Sequence, residues 1–271
     1  MIHSTRRADQ PERAFTLVEL LVVIAIVAAF IATLLPALGH LRRSAHVTAD
    51  LANLRLLQTA MLGYATDHNG WLADARLSHG GVDQGVEESF VTTLKPWYDN
   101  SFALRSPLDA SPHWPTSMGG AGVPVPPTAG HFRTTSYGLN DFLTHQFSPT
   151  AAVYDPPRYY DRLSAVNSPA GTVHMLLMTE TGQYAGADHV HVEEWGPLEQ
   201  APAVASTMVS TSAAGGFPKS GDARSNWSFL DGHVATMKFN QTYVNDLINR
   251  FNPEVSATFD RHVGGAAASA P

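Results

Sequence analysis

The sequence predicts an α+β fold: a long N-terminal α-helix, membrane-spanning in its first half, packed on a C-terminal antiparallel β-sheet head with long loops. Three observations carry this. From Phe15 to Leu35 only Thr16, Glu19 and Thr33 interrupt the apolar residues. Apolar residues then continue at helical spacing to about Asp67. Beyond that point, short apolar runs bounded by turn residues alternate with Gly-, Pro- and Ser-rich connections.

The chain has 271 residues, and a hydrophobic fraction of 44% is enough to build a core. A net charge of −7 and no Lys/Arg block longer than two residues argue against a nucleic-acid partner. With no cysteine there is no disulfide, thiolate metal site or cysteine nucleophile.

The 21 residues Phe15–Leu35, at about 1.5 Å each, match the thickness of the hydrocarbon layer as one helix. Arg6, Arg7 and Arg13 ahead of it favour a cytoplasmic N-terminus, with Arg42 and Arg43 on the other flank weakening the bias. Glu19 stands out, because a carboxylate inside such a helix costs on the order of 2.5–3.5 kcal/mol and marks a specific partner. Pro36 removes one backbone hydrogen bond and is expected to kink or loosen the helix. Leu38, Leu41, Ala45, Leu51, Leu54, Leu57, Met61 and Ala65 then recur at helical spacing, one face docking on the head. Asp67–Gly70 is a stop signal, with Gly70 available for a left-handed residue.

Leu72–Glu88, Gly119–Gly130 and Ala203–Asp222 read as irregular connections, and Gly264–Pro271 as a mobile tail. Thr172–Glu180 reads as a buried central strand, its His174 a packed histidine. In "NWSFLDGHVATMKF", Asn226–Phe239, Asp231-Gly232 predicts a two-residue hairpin turn with positive φ at both positions. Pairing Leu230 with His233 would put Trp227, Phe229, Val234 and Thr236 on one buried face.

"AFTLVEL", Ala14–Leu20, resembles the processing signature of the type IV pilin and type II secretion pseudopilin superfamily. The resemblance implies a leader over residues 1–14, cleavage between Ala14 and Phe15 by a prepilin peptidase, and N-methylation of Phe15. It implies a transmembrane and assembly helix over 15–38, its extension over 39–68, a globular head over 69–263 and the tail over 264–271. Glu19 would pair with the terminal amine of a neighbouring subunit and set assembly register. Ala14 departs from the family's usual Gly. The hairpin around Asn226, Asp231 and Gly232 is similar to the end of large pilin-like families named for a His, nine residues and Asp-Gly, as are Ser136–Asp141 and Thr172–Glu180. Here Gly221 stands in place of that His, and Ser106-Pro107 in place of a frequent Cys-Pro.

His189, His191 and Glu193 would share one side of an extended segment, a weak N/O metal pattern that an exposed amphipathic edge strand explains better. Asp222, Asn226 and Asp231 are oxygen donors for calcium, although turn chemistry accounts for Asp231 and no cofactor is expected. No G-x-S-x-G, H-E-x-x-H, P-loop or dinucleotide fingerprint is present, so an enzyme is not expected. The leading expectation is a pseudopilin anchored by a single pass in the inner membrane, its head periplasmic, assembled with other pilin subunits on a membrane platform for type II secretion. The alternative is a membrane-tethered envelope protein that binds carbohydrate or metal.

Overall fold

The computed structural model describes residues 16–79, 85–98, 104–127 and 130–268. The expected leader, with Ala14 and Phe15, lies outside them. The chain divides into two compact units between Ser44 and Ala45.

Helix α1 spans Leu17–Asp67, ending where the sequence reading placed the stop, and Pro36 sits inside it without ending it. Asn69 and Gly70 both take positive φ, 56° and 87°, and the Gly70 N–H reaches back to the Ala65 carbonyl at 2.7 Å. That 6→1 bond closes the last turn in a Schellman-type cap. In the first unit, the large apolar side chains of α1 from Leu17 to Leu35 are exposed, from 48% at Val22 to 79% at Leu17.

In the second unit α1 buries Asp50, Leu54, Leu57, Gln58, Ala60, Met61 and Ala65. Leu38, Leu41 and Ala45, expected on the same face, are exposed. The apolar periodicity is therefore longer than the docking face. Each of the buried leucines contributes about 1.5–3 kcal/mol.

Strands β1 (Tyr137–Asn140), β2 (Val173–Leu177), β3 (His189–Val190), β4 (Arg224–Phe229) and β5 (Val234–Lys238) form one sheet in the order β3-β1-β2-β4-β5. β1 pairs antiparallel with β2, as β2 does with β4 and β4 with β5, but β3 runs parallel to β1. The α+β arrangement is as the sequence predicts, with the sheet mixed rather than antiparallel at β3. A small pair, β6 (Tyr243–Asn245) and β7 (Ile248–Asn249), follows. Short helices α2 (Phe90–Thr93), α3 (Pro149–Val153) and α4 (Ala201–Ala205) sit in the connections. The last helix, α5 (Phe259–Ala268), takes in the start of the segment read as a tail.

Both faces of the sheet are covered. Tyr137, Leu139, Met175 and Leu177 pack with the α1 residues, while Val173, Leu176, Trp227 and Phe229 pack with Trp195, Phe239, Tyr243 and Phe251. β2 is the central strand and is buried throughout, as its composition predicts. The 203–222 segment is not a surface connection alone. Ala205, Met208 and Val209 are buried in the second cluster, and Val209 bridges Met178.

The α1 face carries two buried polar groups that fix how helix and sheet meet. Asp50 accepts hydrogen bonds from the Tyr137 hydroxyl (2.7 Å) and the Ser106 hydroxyl on one oxygen, and from Asn226 Nδ2 (2.8 Å) on the other. Ser106, at the position of the expected Cys-Pro, is therefore a hydroxyl donor to the helix. Gln58 Oε1 accepts from Ser228 Oγ (2.8 Å) and from His174 Nδ1 (2.9 Å). A bulge between Val173 and Met175 turns His174 toward α1, beside Met175.

Burial pushes the Asp50 carboxyl above its usual value, against the pull of its three donors. Asp50→Ala would leave those donors without an acceptor, so we expect a loss of at least about 2 kcal/mol in urea unfolding of the detergent-solubilised chain. Burial holds His174 neutral down to about pH 3, whereas an unfolded histidine titrates near 6.5. Its stabilisation is complete above about pH 6.5 and is lost as pH falls toward 3. His174→Asn is expected to flatten the fall in unfolding midpoint between pH 6.5 and 4, measured by circular dichroism.

Candidate functional site

The first turn of α1 explains how the chain tolerates Glu19. Thr16 precedes the helix, and Glu19 Oε2 accepts from the Thr16 backbone N–H (2.9 Å) and its hydroxyl (2.8 Å). The Glu19 N–H in turn donates to Thr16 Oγ1 at 3.3 Å. This reciprocal pair is a capping box, which satisfies two of the amide donors that a helix N-terminus leaves unpaired. The acid thus has a partner within its own chain, which the sequence reading missed. The signal was present as Thr16-Leu17-Val18-Glu19, the Thr-x-x-Glu spacing ahead of an apolar run. The expected cleavage and methylation positions, Ala14 and Phe15, fall outside the described residues.

The hairpin forms with a different turn. The Gly232 N–H bonds to the Phe229 carbonyl at 3.0 Å, and the Phe229 N–H to the His233 carbonyl at 2.9 Å, leaving Leu230, Asp231 and Gly232 as a three-residue loop. Gly232 has φ 102° and Asp231 does not share a positive φ. A type I turn closed by a left-handed Gly has this form. The register shifts by one, pairing Ser228 with Val234 and Trp227 with Ala235. Trp227 and Phe229 still share a buried face, but with Ala235 and Met237, while Val234 packs on the α1 side.

The polar residues on the α1 side of β4 are functional in the fold. Asn226 donates to Asp50 and to the Val47 carbonyl (3.0 Å) and accepts from Thr236. Asp231 accepts from His233 Nδ1 at 2.6 Å, and Asp222 pairs with Lys238 at 2.6 Å. Asp222 precedes the six-residue strand β4 and Asp231 follows it, with Asn226 turned inward to α1. The structure does not bring these three together, so they make no calcium cage. A Cβ at Gly221 would stand 3.3 Å from the Asn240 Cβ, where the family's His would sit.

His189 and His191 are brought together, with a third residue that the sequence did not suggest. The ring of His79, from the segment after α1, places its Nε2 3.2 Å from His189 Nε2 and 3.1 Å from His191 Nε2. β3 is an edge strand, yet His189 is fully buried, which corrects the exposed-strand reading. The chain leaves extended geometry after Val190 and enters a 3-10 turn, Val192–Glu194. Glu193 therefore meets His191 Nδ1 (3.0 Å) from behind, rather than joining the Nε2 atoms.

Asp188 organises this corner. Its carboxylate accepts from the backbone N–H groups of Arg76 (2.9 Å) and Leu77 (3.0 Å), from Ser89 Oγ (2.6 Å) and from His189 Nδ1 (3.2 Å). Phe147 stacks on the His189 ring at 3.6 Å, and Tyr184 packs on His79 at 4.3 Å. Burial, with the two neighbouring rings, lowers the His79 pKa to about 4. Burial lowers that of His189 as well. For His191 burial is outweighed by the hydrogen bond to Glu193, and its pKa rises. Asp141, fully buried behind His191, is pushed well above the carboxylate range by burial and by Glu193.

Residues 10–35 match the family model described as the prokaryotic N-terminal methylation motif, the hallmark of type IV pilins and pseudopilins. The match covers Arg13, the cap at Thr16–Glu19 and the apolar run to Leu35. No curated protein and no solved structure matches the chain.

Proposed function

From a pilin-type methylation motif set on an exposed apolar helix, we propose that the chain is a pseudopilin: a non-enzymatic subunit cut before Phe15, N-methylated there, and packed by α1 into a filament. The observation that carries this is the coincidence of the motif over residues 10–35 with a helix whose large apolar side chains from Leu17 to Leu35 are exposed among the described residues. A helix long and apolar enough to cross a membrane first stores the subunit in the bilayer. Packing against neighbouring copies then replaces lipid around the same side chains. A type II secretion machine, or a related pilus-like assembly on an inner-membrane platform, is the setting for such a subunit, with the head on the periplasmic side.

Glu19 has a definite part in this reading. Cleavage after Ala14 would create an ammonium one residue ahead of the Thr16 cap, where the helix already gathers partial positive charge. A neighbour's ammonium reaching Glu19 would add a full charge to the hydrogen bonds from Thr16. In a bundle of low dielectric, such a pair selects register more than it adds stability. The head is joined to the same helix through Asp50 and Gln58, so α1 carries both assembly and display.

A membrane-tethered binding protein is the second reading, and the histidine cluster is the observation in its favour. Intact mass of the membrane-extracted protein separates the two. We expect loss of residues 1–14 and gain of one methyl group, with Glu19→Ala processed normally but failing to enter filaments in cross-linking. An unprocessed chain beginning at Met1, or filaments formed equally well by the Glu19→Ala variant, would overturn the assembly reading.

A further inference from the structure

We propose that His79, His189 and His191 form a binding site for one divalent first-row transition ion of the zinc class, held by their three Nε2 atoms. The two distances at His79, 3.2 and 3.1 Å, come first. A tetrahedral ion with Zn–N bonds of 2.0–2.1 Å places its ligand nitrogens about 3.3 Å apart. Two of the three separations are thus already close to what an ion would impose, and the ligand atoms of all three lie within 4.8 Å of one another.

Proton accounting points the same way. An ionised carboxylate only accepts, so His189 Nδ1, facing Asp188 at 3.2 Å, carries the proton and leaves Nε2 a bare lone pair. His191 Nδ1 faces Glu193 at 3.0 Å, and the same argument leaves its Nε2 bare. His79 Nε2 stands between them and has at most one N–H to give. With neutral rings, one lone pair must then face another at hydrogen-bond distance in a corner where His189 is fully buried. A cation at the common focus satisfies all three.

The surroundings have the form of a built site. Histidine ligands usually donate their far N–H to a carboxylate, which sets ring orientation and raises ligand basicity. Asp188 does this for His189 and Glu193 for His191. Asp188 is itself held by Ser89 and two backbone amides, and the rings are braced by Phe147 and Tyr184. Behind His191 lies a second, independent feature: Asp141 is fully buried, its Oδ2 receives no hydrogen bond, and it stands 3.8 Å from His191 Nδ1. A buried acceptor without a donor this close gains from positive charge placed on the His191 ring, which a bound dication supplies.

Three imidazoles and no first-contact carboxylate suit zinc, cobalt, nickel or copper rather than calcium or magnesium, which demand oxygen. His79 is only partly buried, so water would reach the fourth position. The ion would tie the segment following α1 to edge strand β3, across 110 residues of sequence, in a chain that has no cysteine to do so.

The test uses the full chain in detergent, equilibrated with Zn2+ in the presence of excess Ca2+ and Mg2+, and read by elemental analysis. One zinc per chain is expected. His79→Ala and His191→Ala should each lose it under the same conditions with unchanged far-ultraviolet circular dichroism, and Glu193→Gln should bind about 10- to 100-fold more weakly. Loaded with Co2+ instead, the wild-type chain should show the strong visible bands of a four-coordinate ion, absent from His79→Ala. A wild-type chain that holds no zinc, or zinc retained equally by His79→Ala and His191→Ala, overturns the site. None of these readouts depends on processing or filament formation.

Discussion

A carboxylate buried without a cation holds the head together. Asp50 has no ion-pair partner among the described residues, and its negative end is instead surrounded by Ser106, Tyr137 and Asn226. Each donor comes from a different part of the head, so the docking of α1, the entry to β1 and the hairpin strand β4 are satisfied together or not at all. Gln58, two turns further on, repeats the device with Ser228 and His174. Apolar contacts from Leu54, Leu57 and Met61 supply the bulk of the attraction, but they would tolerate a sliding helix. Directional bonds to residues 226 and 228, alternate positions of one strand, do not.

The same helix therefore lives in two environments. Its second half meets a surface that offers matched donors and acceptors, and the large apolar side chains of its first half are exposed among the described residues. That contrast is what makes the N-terminal methylation motif informative here, since a helix exposing this many large side chains must be covered by lipid or by other helices. The capping box changes how the acid in that half is understood. Glu19 is accommodated by Thr16 within its own chain, so the acid is compatible with both the stored and the assembled state of the proposed subunit.

Asp188 plays for the edge of the sheet the part that Asp50 plays for its centre. It fastens the returning segment at Arg76 and Leu77 and orients the His189 ring. The pair Asp109 and Arg133, in contact at 2.8 Å and buried, is a third case, with the guanidinium also capping the carbonyls of Met178, Thr179 and Ala185. All three are polar centres inside a chain without disulfides. Each joins residues far apart in sequence, and each is costly unless every partner is in place.

By itself the sequence determined α1, its end at Asp67 and the buried central strand β2, because periodicity, a stop signal and an apolar run are properties of neighbouring residues. It also contained the Thr16–Glu19 cap, which went unread although the spacing was plain. The turn at Gly232 was legible in kind but not in register, since one residue of loop length decides which side chains face α1. Only the tertiary structure decided that His79 meets His189 and His191, that Asn226 turns inward to Asp50, and that Asp222 and Asp231 stay apart. Those outcomes depend on how β3 and β4 are placed against segments about 110 and 180 residues earlier. No local pattern encodes such distances; they follow from which faces can be buried at once.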